Sequence, residues 1–268
     1  MNKIMMALDP GKWNRDTVDI ACYLAKISRS KVNGIFLKPD EGIENVLPSA
    51  NPSEDDATTG VSMGATFITR LKDACISRET SYTIRDNRLS SVAKIIEETM
   101  FADILIIDPA ITLNENVAVP PSSLAKHILH HAHCPVILGQ GPFRDMSEII
   151  FTYNGSEESS HAMKQFSYLF PELANSRITV LEIDNKGTDH IAEKIKLMEW
   201  MNVHYHHTAY VTLKGNPSGS LSGYLLAHPK ALVVMGAYGR SFLSRLLKPS
   251  TANPVAVTVN NPIFIAHQ

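Results

Sequence analysis

A strand, turn, helix, strand order occurs twice in this sequence, and that repeat constrains the fold more than any composition figure does. Lys3–Leu8 is an apolar run ended by Asp9-Pro10-Gly11. A helical pattern follows from Asn14 to Arg29, with Val18, Cys22, Ala25 and Ile27 on its apolar side and Asn14 or Asp16 available as its cap. Lys31–Leu37 is the next strand candidate. About 145 residues further on, Glu148–Tyr153 is again a strand candidate, Asn154-Gly155-Ser156 a turn, Glu157–Phe170 a helix and Ser176–Glu182 a strand. Two similar domains are the economical explanation for 268 residues.

Each half continues the alternation. Gly60–Arg78 reads as helix, Ser81–Arg85 as extended, Leu89–Thr99 as helix and Ile104–Asp108 as a buried strand. Ser123–Ala132 is a further helix and Pro135–Leu138 a last strand. In the second half Asp189–Trp200 is helical, Val203–Leu213 contains a strand, Ser218–Ala227 is a short helix, and Ala231–Met235 and Pro262–Ala266 are strands. Continuous apolar strands such as Ile104-Leu105-Ile106-Ile107 require burial on both faces, which is the habit of parallel sheets covered by helices. The fold class is therefore α/β, with two tandem doubly wound domains at 1–141 and 145–268. The boundary is placed in Gly139–Asp145, where Gly139, Gly141 and Pro142 cluster after a strand. Lys38–Thr59 is polar and long for a loop, so it is either a flexible lid or a disordered insert.

Charge and cysteine content exclude several classes. The net charge is −2, and the halves carry 14 basic with 17 acidic and 11 basic with 10 acidic residues, so no basic excess marks a nucleic-acid binder. No apolar run approaches the roughly 18–20 residues that span a bilayer. Met1–Leu8 is too short for a signal peptide and ends at Asp9, so a cytoplasmic protein with neither membrane nor nucleic-acid partners is expected. Cys22, Cys75 and Cys134 are widely spaced, and the bland reading is three reduced thiols in or near cores.

In a doubly wound sheet, ligands bind beyond the carboxyl ends of the strands, where strand order reverses. In the second half those positions are Thr152-Tyr153-Asn154, then Met235-Gly236-Ala237-Tyr238-Gly239. Nine residues later comes Pro249-Ser250-Thr251. Two glycines three apart let the backbone pass close to a bound group, and Ser250 and Thr251 would open a helix whose free amides suit a phosphate. Arg240, Arg245 and Lys248 add positive charge between them. Taken alone, Gly-x-x-Gly is more often a plain turn.

These segments, together with His127-Ile128-Leu129-His130-His131-Ala132-His133-Cys134-Pro135-Val136-Ile137-Leu138 and the opening Phe151–Ser159, resemble the universal stress protein family in both halves. The resemblance implies a five-stranded parallel sheet per domain, of Rossmann-like winding. It implies a regulatory role in the stress response, with ATP or AMP as the ligand of many members, Mg accompanying ATP and no other metal, while other members bind no nucleotide and act by dimerising. It also implies pairing of domains through their last strands, within a tandem chain or in a homodimer. The acid after the first strand would contact adenine, and the glycine loop with its Ser/Thr would hold ribose and phosphates.

The sequence departs from that pattern in both halves. In the first, Asp9 stands at the adenine position, but Asp108-Pro109-Ala110-Ile111 replaces the glycine motif and sets a carboxylate against a polyphosphate. Ser122 and Ser123 stay, but read more readily as a simple helix cap, so this site is expected to be vestigial. In the second, Asn154 replaces the acid and Pro249 the third glycine, which removes one backbone amide. The rival to nucleotide binding is a nucleotide-free dimerising module that acts through its surface. No catalytic residues assemble, and the protein is expected not to be an enzyme beyond slow ATP hydrolysis. His127, His130 and His131 have one-face helical spacing, and His204 and His206 would share a strand face; both clusters are more often solvated or satisfied histidines than metal ligands.

Overall fold

The computed structural model describes residues 2–9, 11–37, 66–84, 90–112, 120–141, 146–184, 191–214, 217–236 and 259–266. The Lys38–Thr59 stretch, the boundary segment 142–145 and residues 237–258 lie outside them. The first half runs β1 (Lys3–Leu8), α1 (Arg15–Ile27), β2 (Lys31–Phe36), α2 (66–76), β3 (Tyr82–Ile84), α3 (Val92–Thr99), β4 (Ile104–Ile107), α4 (Ser123–His131) and β5 (Val136–Leu138). The second runs β6 (Glu148–Tyr153), α5 (Glu157–Leu169), β7 (Ile178–Asp184), α6 (Ile191–His204), β8 (Thr208–Lys214), α7 (Pro217–Ala227), β9 (Ala231–Gly236) and β10 (Ile263–Ala266).

All ten strands lie in one sheet, in the order β3-β2-β1-β4-β5-β10-β9-β6-β7-β8. Each half is thus the same doubly wound unit, with its first strand in the middle and its last at the inner edge. Pairing within each half is parallel, with Lys3 opposite Lys31 and Glu148 opposite Ala231. The halves join through β5 and β10, which pair antiparallel with Phe264 opposite Ile137. The last strands therefore pair inside one chain.

Side-chain alternation sorts the buried residues into two cores. Ile4, Met6 and Leu8 of β1, Phe151 of β6 and Phe264 of β10 face the layer of α1, α2, α5 and α6. Met5 and Ala7 of β1, Val233 and Met235 of β9 and Ile263 of β10 face α3, α4 and α7. Each core runs through both halves, so the central junction is packed on both sides. Phe166 of α5 anchors the first core, meeting Phe151 at 5.7 Å, Phe170 at 5.3 Å and Phe264 at 5.2 Å between ring centres.

Local chemistry sets the helix starts. Asn14 accepts from the amides of Asp16 and Thr17, so it and not Asp16 is the α1 cap. Ser91, Ser122 and Ser156 cap α3, α4 and α5 in the same way. One expectation fails at the other end of an element. His204 closes α6 and His206 lies in the following turn, so the two do not share a strand face. The helix extends that far because Tyr205 is buried behind it, 2.6 Å from the Ser167 hydroxyl of α5.

Candidate functional site

The crevice where strand order reverses lies at the carboxyl ends of β1 and β4 in the first half, and of β6 and β9 in the second. The two crevices are built from different chemistry.

In the first half the described strand ends carry two acids, each bonded to donors of the chain itself. Asp9 Oδ1 accepts from the Gly11 amide at 2.7 Å. Asp108 accepts from Asn14 Nδ2 at 2.9 Å and from the Ala110 amide at 2.7 Å. Ile111 is buried, and the Ser122 hydroxyl donates to its carbonyl while accepting from the Ala125 amide at 2.9 Å. Ser123 is the exposed first residue of α4. Burial raises the Asp9 carboxyl above the usual range, and the nearby Asp108 charge adds to it, against the lowering effect of Gly11, Lys12 and Thr112. Two acids whose acceptors already hold backbone amides present negative charge where a phosphate would have to lie.

In the second half the strand ends are neutral. Asn154 is exposed, and its side-chain oxygen accepts from the Ser156 amide at 3.0 Å, folding an Asx turn. Gly155, at φ 80°, makes the turn in the left-handed region. Ser156 then caps α5, accepting from the Ser159 amide at 3.2 Å. The Thr152 hydroxyl donates to the Val234 carbonyl at 3.2 Å, and Met235 is buried in the core of the opposite face, so both side chains are engaged in the sheet.

Gly236 has a use that the sequence did not reveal. A Cβ there would lie 2.6 Å from the Glu158 carbonyl carbon and oxygen and 2.8 Å from the Ser159 amide nitrogen. The first turn of α5 therefore rests directly on the end of β9. Helix packing alone is enough to require this glycine, whether or not a ligand approaches. Gly239, Ser250 and Thr251, with Arg240, Arg245, Lys248 and Pro249, lie outside the described residues.

Tyr153 closes β6 on the α5/α6 face. It lines a cavity of about 250 Å³ with Lys164, Lys196 and Trp200, and a second of about 140 Å³ with Glu182, Lys194 and Tyr210. Neither cavity touches Asn154 or Gly236. The histidines of α4 contact one another, with His127 and His131 rings 4.3 Å apart, and His131 Nδ1 lies 2.9 Å from the His127 carbonyl. Among the described residues no three potential metal ligands converge, and no helix is long and apolar enough to cross a membrane.

The fold and its paired crevices define a class: a tandem doubly wound α/β protein whose two halves share one sheet. A universal stress protein from Archaeoglobus fulgidus DSM 4304 has this architecture, with TM-score 0.66, 11% identity and coverage of 98% of each chain. A candidate universal stress protein from Pseudomonas aeruginosa UCBPP-PA14 matches at TM-score 0.58 and 10% identity, over 99% of this chain and 93% of its own. A protein of unknown function from Pseudomonas aeruginosa PAO1 matches at 0.58 and 10%, over 99% and 92%. No family model matches the sequence, and no curated protein matches it. The chain has the fold of the tandem universal stress proteins.

Proposed function

We propose that this chain is a regulatory protein of the universal stress type that binds ATP or AMP in its second half and has given up binding in its first. The asymmetry between the two crevices carries this reading. Asp9 and Asp108 occupy the first with acceptors and negative charge, whereas Asn154 and Gly236 carry no charge at the same two strand ends of the second, beside Glu157 and Glu158 in the first turn of α5. Asn154 would meet the base, and Gly239, Ser250 and Thr251 the ribose and phosphates. The protein acts by holding nucleotide and changing partners.

A second reading is favoured by Gly236. Because α5 alone demands that glycine, the motif is equally at home in a nucleotide-free interaction module. The internal β5–β10 pairing has a bearing on assembly under either reading. It consumes the inner strand edges, so a homodimer would have to form through other surfaces.

Purified protein, heat-denatured and chromatographed, is expected to release ATP or AMP in an amount approaching one per chain. The emptied protein should gain thermal stability on adding either nucleotide. An empty preparation that shows no shift with ATP, AMP or Mg-ATP would favour the interaction module.

A further inference from the structure

Cys22 of α1 and Cys75 of α2 lie 53 positions apart in sequence, yet their sulphurs are 3.9 Å apart. Both are buried, on the same face of the sheet. A disulfide brings two sulphurs to about 2.05 Å, so bonding these takes a movement of only about 2 Å. Beside them opens a cavity of about 360 Å³, lined by Cys22, Tyr23, Arg78 and Thr80 among others, large enough to admit a small oxidant. The Arg78 guanidinium is fixed at this cavity by Asp19, with Nε donating to Oδ1 at 2.5 Å, and by the Ala74 carbonyl at 2.8 Å from Nη1. The guanidinium favours a thiolate at this cavity, and the Asp19 carboxylate paired with it partly opposes that.

We infer that Cys22 and Cys75 form a peroxide-responsive dithiol, oxidised reversibly to a disulfide that ties α1 to α2. Cys22 is the attacking sulphur. It lines the cavity beside Arg78, and the contact with Cys75, together with Arg78 and Thr80, lowers its thiol below the ordinary range against the effects of burial and the Asp19 carboxylate. Cys75 is pushed well above that range by the same contact and by burial, and keeps its proton. In the first step the Cys22 thiolate attacks one oxygen of hydrogen peroxide. The S–O bond forms, the O–O bond breaks, and the departing hydroxide takes a proton to leave as water. In the second, Cys75 sulphur attacks Cys22 Sγ. The S–S bond forms, the S–O bond breaks, and the hydroxyl leaves with the Cys75 proton as a second water. One peroxide is reduced to two waters, and the dithiol loses two electrons and two protons. The resulting cross-link closes the chain across both helices and the segment between them, which raises thermal stability.

Cys134 is an internal control. It sits in the core of the opposite face, and burial pushes its thiol up to about 12, so it should not react. The reduced full-length protein is treated with a few equivalents of hydrogen peroxide and analysed by thiol titration in denaturant and by peptide mapping. The three free thiols should fall to one, with Cys22 and Cys75 joined in a single peptide pair and dithiothreitol restoring all three. The thermal transition should rise on the order of 5 °C. Cys75→Ser should stop at a Cys22 sulfenic acid that a dimedone probe captures, and Arg78→Gln should slow oxidation several-fold. Three thiols surviving peroxide, or a bond made through Cys134 or between chains, would overturn the inference. The wild-type mapping decides the matter even where a cysteine variant fails to fold, and neither result depends on nucleotide binding.

Discussion

Single residues divide the two halves. Asp9 and Asn154 stand at corresponding strand ends, and each folds its turn by accepting a backbone amide two residues on. What differs is charge. The Asp9 carboxyl is raised by burial and by Asp108, so its neutral form favours the folded state. That contribution is complete below the ordinary carboxylate range and is lost as pH rises through the elevated folded value. Asp9→Asn, which keeps the acceptor for Gly11, should therefore gain stability over wild type between pH 4 and 7, read as a widening gap in urea midpoints. An equal gap at both pH values would show that the carboxylate charge is not the cause. Gly236 makes the complementary point. Gly236→Ala should lower stability by about 1–3 kcal/mol in nucleotide-free protein, because its methyl would meet the α5 backbone. If the loss appears only with nucleotide present, the glycine serves a ligand. The glycine was legible in the sequence as a close approach, but what approaches it was not. Residues far apart in the chain supply the contact, and no local pattern names them.

At the scale of elements, strands and most helices could be read from periodicity, and the errors fall at boundaries. Continuous apolar runs such as Ile104–Ile107 mark strands buried on both faces, and the described strand covers that run, ending one residue before the expected Asp108. His204-Tyr205-His206 alternates like a strand, yet α6 continues through His204. The hydroxyl of Ser167, on another helix, receives Tyr205 and settles where the helix stops. The junction strands carry the most consequence. Phe264 pairs across to Ile137 and packs on Phe166, so one side chain serves the sheet, the α5 layer and the seam between halves. Phe264→Ala should cost about 3–5 kcal/mol in denaturant unfolding. A loss below about 1 kcal/mol would mean that the seam is held without it.

At the scale of the whole molecule, one ten-stranded sheet with two cores that each run through both halves should unfold as a unit. The chain supplies its own probes, with Trp13 in the first half and Trp200 in the second. Single-tryptophan variants, Trp200→Phe and Trp13→Phe, should show fluorescence transitions that coincide with the loss of far-ultraviolet circular dichroism. Separated midpoints would show that the halves are independent folding units. The sequence by itself determined the repeat, the α/β class, the parallel winding of each half and the loss of the glycine motif after β4. All of these follow from the order of residues along short segments, through hydrophobic period, caps and turn chemistry. Only the tertiary structure decided that the halves share one sheet, that β5 and β10 meet antiparallel, that α5 rests on Gly236, and that Cys22 and Cys75 face each other. Each of these is a contact between segments distant in the chain, set by which apolar faces bury one another, and residue order within one segment carries no record of its partner.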